Sequence, residues 1–173
     1  MIFVFLILFI MSLLFLLYKS NHKKPKPLEK AICIIKGTNV TGLLYLDELS
    51  DGNTHIYGKI IGLEPGKHSI NIYESGNMIN NCNNLGSHYN PFNKQHSSRV
   101  NVDSNGNIQI NYNRHIGDLG NLLTNKNKQT TINFVDPLIR LSGDTNVIGR
   151  SIAINKNDYK SDKIACGIIA RLK

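Results

Sequence analysis

The sequence predicts an all-β body, an antiparallel sandwich or barrel, and three observations carry that expectation. From residue 31 onward, short runs rich in β-branched residues recur between clusters of Gly, Pro, Asn and Asp, the turn-forming types. No stretch of the body repeats apolar residues at helical spacing. The body, residues 28–173, is long enough to bury a core of its own, while a total of 173 residues leaves no room for a second domain of similar size.

Taken in order, the runs 31–36, 40–46, 54–61, 68–73, 129–135, 147–154 and 164–170 each read as a strand. Ser50-Asp51-Gly52-Asn53, Glu64-Pro65-Gly66-Lys67 and Ser142-Gly143-Asp144 separate them, with Gly or Pro supplying the backbone geometry of a turn. Val100-Asn101-Val102 and Ile108-Gln109-Ile110-Asn111-Tyr112 alternate apolar and polar side chains around Asp103-Ser104-Asn105-Gly106-Asn107, which reads as a hairpin. Between Glu74 and His96 the strand pattern lapses for longer than an ordinary connection, and a loop of that length points to function.

The first 18 residues contain no charge and one clearly polar side chain, Ser12, so they cannot form a one-faced surface helix. As a helix they reach about 27 Å, close to the hydrocarbon thickness of a bilayer. A cleaved signal would begin with Lys or Arg and end in small residues. This segment does neither, and residues 1–18 are expected to be a retained transmembrane anchor. Lys19, Lys23, Lys24 and Lys26 follow it, with Pro25 and Pro27 stiffening a basic linker over 19–29. Basic flanks stay on the cytoplasmic side, so the body is expected to face the cytoplasm. There the acceptor pattern Asn39-Val40-Thr41 would go unglycosylated.

The chain has 20 Lys+Arg against 12 Asp+Glu, but four of those lysines sit in the linker, and the body's weaker excess requires no nucleic-acid partner. Three cysteines exclude a scaffold stapled by several disulfides and leave one bridge plus a thiol, or three thiols. His88, His96, His115 and Asp118 are the one grouping with ligand chemistry. Three imidazoles and a carboxylate supply the four N/O donors of a closed zinc site, against the plainer alternative of polar histidines scattered over a loop.

Specific motifs then carry a resemblance. Ala31-Ile32-Cys33-Ile34-Ile35-Lys36-Gly37, Ile61-Gly62-Leu63, Pro65-Gly66, His88-Tyr89-Asn90-Pro91, His115-Ile116-Gly117-Asp118-Leu119-Gly120-Asn121, Leu141-Ser142-Gly143-Asp144, Ile148-Gly149-Arg150 and Ala165-Cys166-Gly167 occur in one order. In that order they resemble the Cu,Zn superoxide dismutases over residues 30–172. The resemblance implies an eight-stranded Greek-key β-barrel with long functional loops, here with an extra hairpin in the metal loop that sets His96 19 positions before His115. It implies zinc at His88, His96, His115 and Asp118, a disulfide between Cys82 and Cys166, a buried free Cys33, and bracing rather than ligating roles for His68 and Arg150. No role attaches to His22 or His55, which are assigned to solvent.

The copper positions depart from the family. Where a His-x-His pair is expected the chain has Asn71 and Tyr73, and the fourth ligand position holds Asn155; only the metal-bridging His88 remains. A carboxamide is a weak donor for copper, and a phenol binds only as phenolate. The expectation is therefore zinc without copper and no catalytic residue. Lys163 stands where the family has its anion-guiding guanidinium, and the charged loop is shortened to about 156–162, with Asp158 or Asp162 as stand-ins for an acidic linker of the two metal sites. Gly76, Ile148, Gly149 and Ile168 fall on the family's dimer face. The resemblance extends to the copper-site-deficient homologues of poxviruses. It implies an inactive, membrane-anchored protein that acts by interaction, as a homodimer, as a decoy for host dismutase or its copper chaperone, or as a virion component. The alternative is weak dismutase activity from an atypical copper site of His88, Tyr73, Asn71 and Asn155.

Overall fold

The computed structural model describes residues 9–12 and 28–172. Its strands are β1 (Lys30–Gly37), β2 (Val40–Glu48), β3 (Thr54–Ile61), β4 (Gly66–Tyr73), β5 (Val100–Val102), β6 (Ile108–Ile110), β7 (Asp118–Thr124), β8 (Gln129–Asp136), β9 (Ser151–Asn155) and β10 (Lys163–Leu172). The period-two rule of a pleated strand sorts their side chains: on β1, Ala31, Cys33 and Ile35 turn inward and are fully buried while Ile34 stays exposed. Leu44, Leu46, Ile56, Ile60, Ile70, Ile72, Ile152, Ile154 and Ile169 complete one continuous core.

Eight strands form a single antiparallel sheet in the order β7-β4-β9-β10-β1-β2-β3-β8. β3 and β4 are consecutive in sequence but lie far apart in the sheet, as do β8 and β9, which is the crossing pattern of a Greek key. The sheet curls nearly closed. Thr124 on β7 and Thr130 on β8 share a 2.6 Å hydrogen bond that draws its two edges together. β5 and β6 pair only with each other, so the inserted hairpin stands outside the barrel.

Several sequence expectations need correction. The sequence predicts no strand over 119–124, yet β7 pairs with β4 along its length; Gly120, with φ 99°, and the register shift between Ile70 and Asn71 break its alternation. The run 147–154 is half turn. Gly149 takes φ 81°, the Gly149 N–H bonds the Ile169 carbonyl at 2.8 Å, and β9 begins only at Ser151. β4 starts two residues earlier than expected, at Gly66, and β6 stops at Ile110, leaving Tyr112 exposed beyond it.

The anchor expected over 1–18 and the linker over 19–29 fall mostly outside the described residues. Residues 9–12 form one helical turn, with Ser12 Oγ donating to the Phe9 carbonyl at 2.8 Å. Among the described residues no helix is long and apolar enough to cross a membrane.

Candidate metal centre

Three backbone hydrogen bonds assemble the site. The Ile72 N–H donates to the Gly117 carbonyl (2.9 Å), the Tyr89 N–H to Ile72 (2.8 Å) and the Gly117 N–H to Tyr89 (2.9 Å), so the end of β4, the long loop and the start of β7 meet at one point. Gly117 is required there, because a Cβ would run into the Ile72 carbonyl. This knot fixes His88, His115 and Asp118 by their neighbours in sequence. Arg114 secures it from below. Fully buried, it donates to the carbonyls of His115, Ile116 and Asp118 at 2.9–3.1 Å and pairs with the carboxylate of Asp136 at the end of β8.

His88, His96, His115 and Asp118 converge, with one ligand atom from each lying within 4.8 Å of all the others. The Asp118 carboxylate divides its work. Oδ2 accepts the Ser97 and His115 N–H groups at 3.1 and 3.3 Å, leaving Oδ1 to face His88 Nδ1 at 2.8 Å, His96 Nδ1 at 2.9 Å and His115 Nδ1 at 3.3 Å. Burial alone would raise the Asp118 pKa, but the hydrogen bonds from His88 and Ser97 and the nearby imidazoles outweigh it and hold the carboxyl below its ordinary range. Burial, working against the Asp118 charge, lowers His96 below the usual imidazole value and favours the neutral ring with its free lone pair.

The donor set fits a cation. Three imidazole nitrogens surround one carboxylate oxygen, more donors than that oxygen can align, and the buried His115 Nδ1 has no hydrogen-bond partner. Nitrogen and carboxylate donors in that number suit a divalent first-row ion. His96 takes its place despite the hairpin, because β5 and β6 satisfy each other and pivot at Arg99 and Asn111, whose backbones bond at 2.9 Å.

Beside His88, the other expected positions form two buried polar pairs. The Tyr73 hydroxyl donates to Asn155 Oδ1 at 3.1 Å, the Asn71 Nδ2 donates to Ser69 Oγ at 3.2 Å, and Tyr73 meets His88 edge-on with centroids 4.9 Å apart. Burial raises the Tyr73 pKa, only partly opposed by Asn155, so the phenol keeps its proton. Lys163 lines the cleft beside the histidines, with its Nζ 4.7 Å above the Tyr73 ring. Neither Asp158 nor Asp162 bonds to the cluster; Asp158 Oδ1 instead accepts the Lys160 N–H at 2.9 Å within its own turn. The residue that does reach the cluster from that loop is Tyr159, whose ring lies on His96 with centroids 3.6 Å apart. Sequence reasoning passed over both Tyr159 and Arg114.

Cys82 and Cys166 form a disulfide, and Cys33 is free and buried, its thiol pushed up to about 12 by that burial. His68 Nε2 lies 2.8 Å from the Glu64 carbonyl, away from the metal cluster. His55 is engaged as well, 2.7 Å from Asn133 Oδ1 and stacked on Tyr57, a correction to its assignment to solvent. Arg150 stacks on Tyr89 at 3.6 Å and donates to the Glu74 carbonyl. Gly76 sits against the Gly149 carbonyl with the Ile168 side chain beside it. The half-buried Ile148 adjoins Gly149 in sequence, and Ile168 is exposed.

A near-closed Greek-key barrel that gathers three histidines and an aspartate on its outer wall is a metalloprotein of the dismutase type. The copper/zinc superoxide dismutase family model matches residues 40–169, and the chain belongs to that family. It is 37% identical over 159 residues to superoxide dismutase (Cu-Zn) 5 of Dictyostelium discoideum, covering 83% of this chain and 98% of that protein. It is 32% identical over 156 residues to superoxide dismutase (Cu-Zn) A of Xenopus laevis, covering 81% and 96%. The crystal structure of the clock protein EA4 superposes with a TM-score of 0.74 at 30% identity, covering 87% of this chain and 99% of that one.

Proposed function

We propose that this chain is a catalytically silent, zinc-holding member of the dismutase family that is anchored to a membrane through residues 1–18 and acts by protein contact. The observation that carries the reading is the chemistry of the positions where the family resemblance puts copper. Tyr73 and Asn155 are bonded to each other, Asn71 is bonded to Ser69, all three positions are buried, and His88 is the one imidazole among them. A protonated phenol and two carboxamides hold copper poorly. Zinc at His88, His96, His115 and Asp118 would bind the ends of the long loop to β7 and has no second oxidation state with which to turn over superoxide. The residues present would therefore hold structure, and Lys163 supplies a charge without the rigid fork of a guanidinium.

Contact is assigned to the patch of Gly76, Ile148, Gly149 and Ile168, where an exposed isoleucine lies over close-packed backbone. A second copy, a host dismutase or its copper chaperone is the partner class, with a decoy or a virion component as the role and a cytoplasm-facing body as the setting. The alternative, weak dismutation at an atypical copper site, draws support from the dismutase names of the relatives.

The deciding experiment loads the full-length chain in the presence of both metals, measures metal content by elemental analysis and assays dismutation in parallel. About one zinc per chain, no stoichiometric copper and no activity is the expected result. Copper at one per chain with activity overturns it. Failure to co-purify with dismutase or chaperone under native conditions removes the decoy role.

A further inference from the structure

The loop between β9 and β10, residues 156–162, is held across the metal cluster by side chains that the cluster does not use. Asn155, 1% exposed at the end of β9, donates from Nδ2 to the Ser161 carbonyl at 2.7 Å and to the Tyr159 carbonyl at 3.4 Å, and its Oδ1 accepts from Tyr73. The loop is also closed on itself. The Lys156 N–H reaches the Asp162 carbonyl at 2.9 Å, the Asn157 N–H reaches Ser161 Oγ at 3.0 Å, and Ser161 Oγ donates to the Asp158 carbonyl at 2.7 Å. At its apex Tyr159 lies against His96 at 31° and meets His88 edge-on at 5.7 Å.

That apex covers the exposed flank of the cluster. The His96 side chain is 30% exposed, against 18% for His115, 9% for His88 and 2% for Asp118. Tyr159 and His96 together wall both of the clefts that flank the cluster, of about 230 and 410 Å³. Release of an ion from four ligands proceeds by one ligand swinging out while water or a competing donor enters. A ring stacked on the most exposed imidazole opposes both movements.

We infer that residues 156–162 form a strap, clamped by Asn155 and Tyr73 and capped by Tyr159, that slows metal exchange at His88, His96, His115 and Asp118. The inference rests on the metal-centre reading. It gives two of the three copper-position residues, Tyr73 and Asn155, a mechanical task.

The test is zinc release from the loaded full-length chain into excess 4-(2-pyridylazo)resorcinol, followed by the chelator's colour after zinc stoichiometry has been measured. Tyr159→Ala should release zinc about tenfold faster or more, the scale of losing an outer-shell partner, whereas Tyr159→Phe keeps the ring and should stay within about twofold of the unaltered chain. Tyr73→Phe, which removes the hydrogen bond that orients Asn155 in the clamp and leaves Tyr159 intact, should fall between them. Wild-type rates in Tyr159→Ala, or release from Tyr159→Phe as fast as from Tyr159→Ala, overturn the cap; a wild-type rate in Tyr73→Phe overturns the clamp. An unaltered chain that takes up no zinc overturns the metal-centre reading and this inference with it, an outcome distinct from zinc bound and released at unchanged rates.

Discussion

The two groups of polar side chains around His88 come from different elements, the long loop and β7 for one and β4 and β9 for the other, and they differ in where their lone pairs point. In one group, His88, His96, His115 and Asp118 direct donors at a common focus and leave His115 Nδ1 without a hydrogen bond. In the other group, Tyr73 and Asn155 bond each other and Asn71 bonds Ser69. A site that can take an ion keeps some of its donors unpaired, at a cost that the ion offsets. A site whose polar groups answer one another is stable without an ion and gains little from one. On the proposed reading, residue type alone separates the two, one group suited to binding and the other to support.

The comparison breaks most sharply if the second group is rebuilt. Asn71→His, Tyr73→His and Asn155→His in combination should convert no copper uptake into about one copper per chain, read by elemental analysis and a dismutation assay. A folded triple variant that still excludes copper would locate the barrier in the strap and not in the donors.

Removing the focus of the first group is the next largest change. Zinc at about a thousandfold over its Kd should stabilise the unaltered chain by about 4 kcal/mol, or roughly 8–16 °C in Tm for a domain of this size. Asp118→Ala should erase that zinc-dependent shift in a calorimetric scan. Tyr73→Phe acts from the other group: it leaves Asn155 Oδ1 buried without its donor and should cost about 1–2 kcal/mol in urea unfolding of the zinc-free chain.

The smallest effect belongs to Cys33, remote from both groups in the core. With its thiol raised to about 12 by burial, it should resist alkylation in the native chain at pH 8 and react fully in urea. Because the folded pKa lies above the unfolded one, Cys33 contributes stability below about pH 9 that is lost as the pH rises toward 12, and Cys33→Ala should flatten that alkaline decline.

Much of this arrangement was legible in the chain. The hairpin declared itself because Val100 and Val102 alternate with Asn101 as Ile108 and Ile110 do with Gln109, around a Gly-containing turn. The cluster was legible through residue type and motif order. β7 was not, because Gly120 and Asn121 interrupt its apolar residues and Leu122-Leu123 puts one leucine inward and the other 79% exposed. Arg114 and Tyr159 had no sequence signal at all: a lone arginine before a histidine and a tyrosine in a polar loop both read as solvated. Their roles arise from tertiary partners, Asp136 lying 22 residues from Arg114 and His96 lying far upstream of Tyr159.

The disulfide between Cys82 and Cys166 closes over a separation of 84 residues, while every ligand of the cluster is supplied between His88 and Asp118. On a growing chain the ion's four donors therefore exist before the second sulfur does. At 5–20 residues per second, the roughly 50 residues from Asp118 to Cys166 take about 2–10 s to make. An ion captured in that interval would be in place before the bridge can close. The bridge, completed by the later-made sulfur, would latch a loop whose four donors are already synthesised.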